Sequence, residues 1–209
     1  TGVMILPDQP GPSNPRLAMT GGTSGTLYLV NRDNLGGFGA PKPDAVLQTL
    51  NLAHAIYGTP AYWQNTVFVA AAGDAVKAYP LNAGTLAAAP NSQSVSIISA
   101  PGASPTISSN GGSGGIVWIL DTGGADSGAS AILHAFDATN LAREIYSSAG
   151  RPLDAAGPAA RLAVPTVANG RVYVGTQTEL TVYGLAPEAT FSPRPRRDPS
   201  ESGKLPADA

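Results

Sequence analysis

The stretch AVPTVANGRVYVGTQTELTVYGL, residues 163–185, decides the fold. Pro165 lacks an N–H and sits best where a strand opens. Asn169-Gly170 is the two-residue hairpin signal, because both residues tolerate positive φ. Residues 171–175 (RVYVG) alternate and are β-branched or aromatic, so they read as a second strand. Residues 176–179 turn the chain, and 180–185 form a third strand.

The same plan recurs upstream. Thr59-Pro60-Ala61-Tyr62-Trp63 opens one copy, which turns at Gln64-Asn65, runs through 66–72, turns at Gly73-Asp74 and continues over 75–81. Ser104-Pro105-Thr106-Ile107-Ser108 opens another, with its turn at 110–115, a strand at 116–120 and a longer loop before 132–137. The first copy is looser: 3–6, a loop holding Pro7, Pro10, Pro12 and Pro15, then 17–20 and 26–31. Leu27, Val76, Leu133 and Leu180 fall at one third-strand position, roughly 50 residues apart. A period of that size built from short strands is a propeller blade rather than a helical repeat.

The third strands also agree by face. Leu29, Ala78, Ala135 and Val182 share one side, and Val30, Tyr79, Phe136 and Tyr183 the other, since strand side chains alternate. Small or medium residues opposite large ones across neighbouring blades is what such packing needs.

The expected fold is therefore all-β: a β-propeller of about four four-stranded antiparallel blades, at about 1–52, 53–100, 101–150 and 160–185. Outer strands are expected near 94–99 and 143–148. Residues 45–52 read as an outer strand or a short helix, which periodicity does not separate over so few residues. No outer strand follows the last blade. Either the ring closes imperfectly or the chain is the C-terminal part of a larger propeller, and the second is favoured because an unpaired edge is an aggregation hazard. Missing N-terminal blades or another chain would then cap the edge. A start at Thr1 rather than Met, almost directly into a strand, fits processing or truncation. Residues 187–209 are rich in Pro, Ser and charge, with Arg194, Arg196 and Arg197 close together, and are expected to be disordered.

Composition narrows the function. The 25 glycines and 19 prolines match many turns between short strands. There is no apolar run of about 18 residues, so no membrane span is expected. Net charge is −2 with no basic cluster outside the tail, which argues against nucleic acid. The absence of cysteine excludes disulfides and thiolate metal sites.

Several motifs suggest chemistry and fail on context. Gly21-Gly22-Thr23-Ser24-Gly25 looks like a phosphate cradle, but a strand follows it where a helix is required. Gly111-Gly112-Ser113-Gly114-Gly115 matches G-x-S-x-G, yet it joins two strands instead of a strand and a helix. His134 aligns with Tyr28, Lys77 and Thr181, a variable column that reads as semi-exposed. His54 lies in a loop before an innermost strand, where loops crowd a propeller's channel. Tyr57, Ser104 and Arg161 occupy comparable loops, and Asp74 and Glu179 lie in turns expected on the same face. These six residues, His54, Tyr57, Asp74, Ser104, Arg161 and Glu179, are the candidate polar site. No catalytic set is evident, and neither zinc nor calcium spacing occurs.

Gly170–Gly175 with its following turn and strand, and LHAFDATN (133–140) running to Arg143-Glu144-Ile145-Tyr146, resemble the repeats of pyrroloquinoline-quinone-type (quinoprotein) propellers. The combination of GTPAY, ILHAFDATNL and PTVANGRVYVGT is similar to the C-terminal part of bacterial exported proteins of no assigned function that carry such propellers. The resemblance covers about residues 1–185. It implies an extracytoplasmic (periplasmic or secreted) propeller, with pyrroloquinoline quinone and calcium as the cofactor pair if any is used. It does not carry a catalytic aspartate or calcium ligand onto this chain. Tyr146 stands where the repeat has its docking tryptophan, Asn140 where it has glycine, and the adjacent cysteine pair of many quinoprotein dehydrogenases is missing. The expected role is a non-catalytic binding or scaffold module for a protein or glycan, with no cofactor. The alternatives are a quinone-dependent oxidoreductase fragment and a structural subunit of a larger assembly.

Overall fold

The computed structural model describes residues 1–10, 16–37 and 44–184. The expected tail at 187–209 lies outside these residues, as does part of the proline-rich loop. The described chain forms four antiparallel sheets, each built from strands that follow one another in sequence. They are stacked as successive blades of a β-propeller.

Blade one comprises β1 (Val3–Ile5), β2 (Leu17–Gly21), β3 (Thr26–Asn31) and β4 (Val46–Asn51), paired in that order. The ambiguous outer segment is thus a strand. Blade two comprises β5 (Ala61–Trp63), β6 (Thr66–Ala70), β7 (Asp74–Asn82), β8 (Thr85–Leu86) and β9 (Ser92–Ile98). It has five strands where four were expected. β7 is long enough to pair with β9 along its first part and with β8 at its end, through Leu81 opposite Leu86 and Asn82 opposite Thr85. Blade three comprises β10 (Thr106–Asn110), β11 (Ser113–Asp121), β12 (Ile132–Asp137) and β13 (Asn140–Ser147). Blade four comprises β14 (Thr166–Ala168), β15 (Arg171–Gly175) and β16 (Leu180–Gly184).

Turn chemistry explains the hairpins. Gln64 and Asn65, like Asn169 and Gly170, hold positive φ at both central positions, as a tight hairpin with right-handed strand twist demands. The glycine run at 110–115 departs from expectation. Its turn is confined to Gly111-Gly112, and Ser113, Gly114 and Gly115 belong to β11. The reason is steric: a Cβ on Gly115 would lie 2.6 Å from the Trp63 ring of the preceding blade.

Between blades one and two lie Met19, Leu27, Leu29, Val67, Val69 and Tyr79. Phe68, Val76, Ala78, Val117, Ile119 and Phe136 fill the gap between blades two and three. Leu120, Leu133, Val172 and Val174 fill that between three and four, with Tyr146 and Tyr183 packed against them. Each blade therefore has a forward face, toward the next blade, and a rear face, toward the previous one. Leu27, Val76 and Leu133 are forward; Tyr79, Phe136 and Tyr183 are rear. Burying a residue of this size contributes roughly 1.5–3 kcal/mol.

Tyr79 supplies a pH test of this packing. Burial, with the Asp74 carboxylate adding to it, pushes its phenol from 10.0 up to about 12. A raised value means the folded state favours the neutral phenol. That stability is complete below pH 10, the unfolded value, and is lost as pH rises through the folded value near 12. Tyr79→Phe is expected to make the urea midpoint fall less steeply over that window. An unchanged slope would place the alkaline loss at other phenols, such as Tyr146.

Candidate functional site

The connections between blades all run across one face of the arc. There each packs against the turn joining the second and third strands of a blade. The 52–60 connection is held by Leu52 N–H to Gly25 O (2.8 Å) and Ile56 N–H to Gly22 O (3.1 Å). The 99–105 connection uses Ala103 N–H to Ala70 O (3.1 Å), and Ser99 N–H donates to Asp121 Oδ2 (2.9 Å). The 148–165 connection takes Gln177 N–H on Pro158 O and the Gln177 amide on Ala159 O (2.8 Å).

Five of the six candidate residues stand in these connections and turns, and Asp74 is the first residue of β7, next to the Ala72-Gly73 turn. His54 Nδ1 lies 3.1 Å from Ala72 O. Tyr57 is 41 % exposed. Asp74 is buried, pairs with Lys77 Nζ at 2.5 Å and accepts from the Ala75 N–H at 2.8 Å. Arg161 pairs with the exposed Asp126. Glu179 closes its own turn: its N–H donates to Thr176 Oγ1, and its carboxylate accepts from the Thr181 hydroxyl. Among the described residues no hydrogen bond or ion pair joins any two of the six. They share a face of the fold but do not converge on one point.

Ser104 has a structural contact that its loop position did not reveal. Its Oγ accepts the Thr59 N–H at 2.9 Å, and Thr59 Oγ1 in turn accepts the Gly2 N–H at 3.1 Å. Thr106 Oγ1 continues the line by donating to Pro165 O at 2.8 Å. These side chains tie together the starts of the four innermost strands.

Two polar clusters were missed in the sequence because their members meet only across strands. In the first, Ser96 Oγ donates to Glu144 Oε2 (2.6 Å), and Glu144 Oε1 lies 2.7 Å from His134 Nδ1. His134 is buried and stacks on Phe136, which corrects the semi-exposed reading of that column. The carboxylate sits between serine and imidazole, so the imidazole is not placed to take the serine proton, as nucleophilic catalysis would need. The cluster instead fastens the outer strand of blade two to that of blade three.

In the second cluster, Tyr146 Oη donates to Asp154 Oδ2 (3.0 Å) and Tyr183 Oη to Asp154 O (2.9 Å). The Arg151 guanidinium lies 5.4 Å from the Tyr146 ring centroid. Burial and the Asp154 bond push the Tyr146 phenol up to about 12. Tyr146, at the position of the repeat's docking tryptophan, thus anchors blade three on blade four. At the β12–β13 turn, Asp137 Oδ1 accepts both the hydroxyl (2.7 Å) and the N–H (2.8 Å) of Thr139, which hold its carboxyl below the ordinary range.

Among the described residues no group of three or more His, Asp or Glu is placed to hold a metal ion. No described helix is long and apolar enough to cross a membrane.

No family model matches the chain, and no curated protein matches it. Among solved structures it is similar to BamB from Moraxella catarrhalis, at 16 % identity and a TM-score of 0.49, over 80 % of this chain and 42 % of that one. It is also similar to the computationally designed Ika8 protein, at 13 % identity and a TM-score of 0.39, over 85 % of this chain and 57 % of that one. The chain thus spans less than two thirds of either structure. Neither likeness carries a site or an activity to it.

Proposed function

We propose that this chain is a propeller of quinoprotein-like repeat type that works without a cofactor as a binding or scaffold module. Its place is outside the bacterial cytoplasm, and its ligand is a protein or glycan. The observation that supports this is how the loop-face polar groups are used. Asp74, Arg161 and Glu179 each spend their charge on a neighbour within the fold, and Ser104 spends its hydroxyl on the frame. What this face presents outward is a rigid, hydrogen-bonded set of loops with the partly exposed Tyr57 ring. Such a surface suits recognition, to which aromatic residues contribute large rigid contacts.

The test is a thermal melt of the purified chain titrated with pyrroloquinoline quinone plus calcium. A ligand that binds the folded state raises the melting temperature by mass action. The expected result is a cooperative melt that the mixture leaves unmoved. A saturable rise would overturn the reading and direct mutagenesis to His54, Asp74 and Arg161.

A further inference from the structure

We infer that Asn169 is a site of covalent modification, its side-chain amide passing through a cyclic imide to aspartate and isoaspartate, while Asn110, in the same Asn-Gly context, is shielded by the blade before it. The site stands at the other end of β15 from the loop-face turn at 176–179 and does not depend on what that face binds.

The residue pair sets the chemistry. The glycine backbone nitrogen, having given its proton to base, attacks the asparagine Cγ. A C–N bond forms, the Cγ–Nδ2 bond breaks, and the side-chain nitrogen leaves as ammonia with a proton from water. Water then opens the imide at either carbonyl, giving aspartate or a main chain routed through Cγ. Neither oxidant nor reductant is needed. Glycine favours the step, because no Cβ hinders the nitrogen and its backbone turns freely. The sequence holds two such pairs, Asn110-Gly111 and Asn169-Gly170, and all four residues are exposed.

Ring closure requires the Asn–Gly peptide to rotate, and here the two sites differ. Asn110 O accepts from Ser113 Oγ at 3.2 Å. Gly111 O accepts from Ser109 Oγ at 3.0 Å and from Trp63 Nε1 at 3.3 Å, and Gly112 O from the Gln64 amide at 2.6 Å. Trp63 and Gln64 reach over from blade two, so rotation at Asn110 breaks bonds on both sides of Gly111. Ser108 holds Trp63's place in the next copy of the repeat. Its hydroxyl is taken by Trp118 Nε1 of its own blade at 2.8 Å and gives nothing to the 169–170 hairpin. Among the described residues neither the Asn169 side chain nor the Gly170 N–H makes a hydrogen bond, and a Cβ on Gly170 would meet nothing within 4 Å. The hairpin hangs on β14, a strand of 3 residues with both ends exposed, so it opens locally at little cost. Register allows two residues between Ala168 and Arg171. Isoaspartate adds a main-chain carbon there and disrupts that pairing.

Peptide mapping by mass spectrometry tests this. The 209-residue chain is held in warm, mildly alkaline buffer, folded or in urea, and then cut with trypsin. Asn169 is released in peptide 162–171 and Asn110 in peptide 78–143. The urea sample gives the rates that sequence alone sets. In the folded chain Asn169 is expected to stay within a few-fold of its urea rate, and Asn110 to fall several-fold below its own. Peptide 162–171 should yield chromatographically separate aspartyl and isoaspartyl forms. Trp63→Phe combined with Gln64→Gly removes both donors while keeping a ring and a residue that tolerates positive φ. It is expected to raise the folded-state rate at Asn110 several-fold and leave Asn169 unchanged. Trp63→Phe alone serves if the double variant does not fold. Folded and urea samples with the same ratio of the two rates overturn the inference. So does a folded donor-less variant whose Asn110 stays as slow as the parent's, or an Asn169 product free of isoaspartate, which would mean direct hydrolysis.

Discussion

Phe136→Ala is expected to cost about 3–5 kcal/mol, the range for deleting a fully buried aromatic ring. Phe136 has no exposed surface and sits on the rear face of blade three, among Phe68, Val117 and Ile119. Val117 is its cross-strand neighbour, and the His134 ring stacks on it with centroids 5.9 Å apart. β-Strand backbone on both sides limits how far the site can collapse, so a cavity remains. The loss is large against a domain stability of about 5–15 kcal/mol. It also falls on one interface. In an open arc each blade packs only on its neighbours, and stability is close to a sum of blade and interface contributions. Weakening the joint between blades two and three should therefore broaden the urea transition as well as lower its midpoint. Ile145→Ala, at a site 48 % exposed on the outer strand of the same blade, is the control and should stay within about 0.5 kcal/mol of the parent. Equal effects from the two substitutions would refute the assignment of Phe136 to an interblade core.

That Phe136 shares a strand face with Tyr79 and Tyr183 was legible in the sequence, and so was most of the blade plan; which blade that face meets was not. The alternation in RVYVG and in ILHAFD, with hairpin dipeptides at Gln64-Asn65 and Asn169-Gly170, carries strand, turn and face together. Strand side chains have a period of two, so one correct register sorts a whole strand. What failed was whatever depends on the neighbouring blade. The glycines at 114–115 read as turn because glycine favours turns, yet Gly115 is small to admit Trp63, 52 positions earlier in the chain. The variable column holding His134 suggested exposure, but its burial comes from Phe136 and from Glu144 across the strand pair. β8 arises from the extra length of β7 rather than from any strong strand signal in Thr85-Leu86. Of the loop-face residues, Asp74 opens β7 and the others lie in connections and turns. The partners of Arg161 and Ser104 were not foreseeable, because Asp126 and Thr59 meet them only after the chain has folded back, whereas Lys77 stands three residues from Asp74 on the same strand.

Gly102→Ala is the second substitution with a large expected effect, and it tests how the blades are strung together. Gly102 lies in the connection between blades two and three with φ at +81°. Alanine there carries the left-handed penalty of about 1–2 kcal/mol. It also meets a wall. A Cβ would lie 2.5 Å from Ala70 O, 2.8 Å from Ala71 C and 2.9 Å from Ala72 N, all backbone atoms with no rotamer to swing aside. The next residue donates its N–H to that same Ala70 oxygen at 3.1 Å, so the connection cannot back away without breaking the bond. Forcing an extra carbon into such a site adds about 1–3 kcal/mol. The total expected is about 2–5 kcal/mol. Gly73→Ala separates the two causes. Gly73 has φ at +66° with nothing within 4 Å of its Cβ position, so it carries the backbone penalty alone. Urea denaturation of both variants should rank Gly102→Ala well below Gly73→Ala in midpoint. Matching midpoints would mean that the connection can shift off Ala70. The blades would then be held together by their apolar faces alone, without a fixed backbone contact at the crossing.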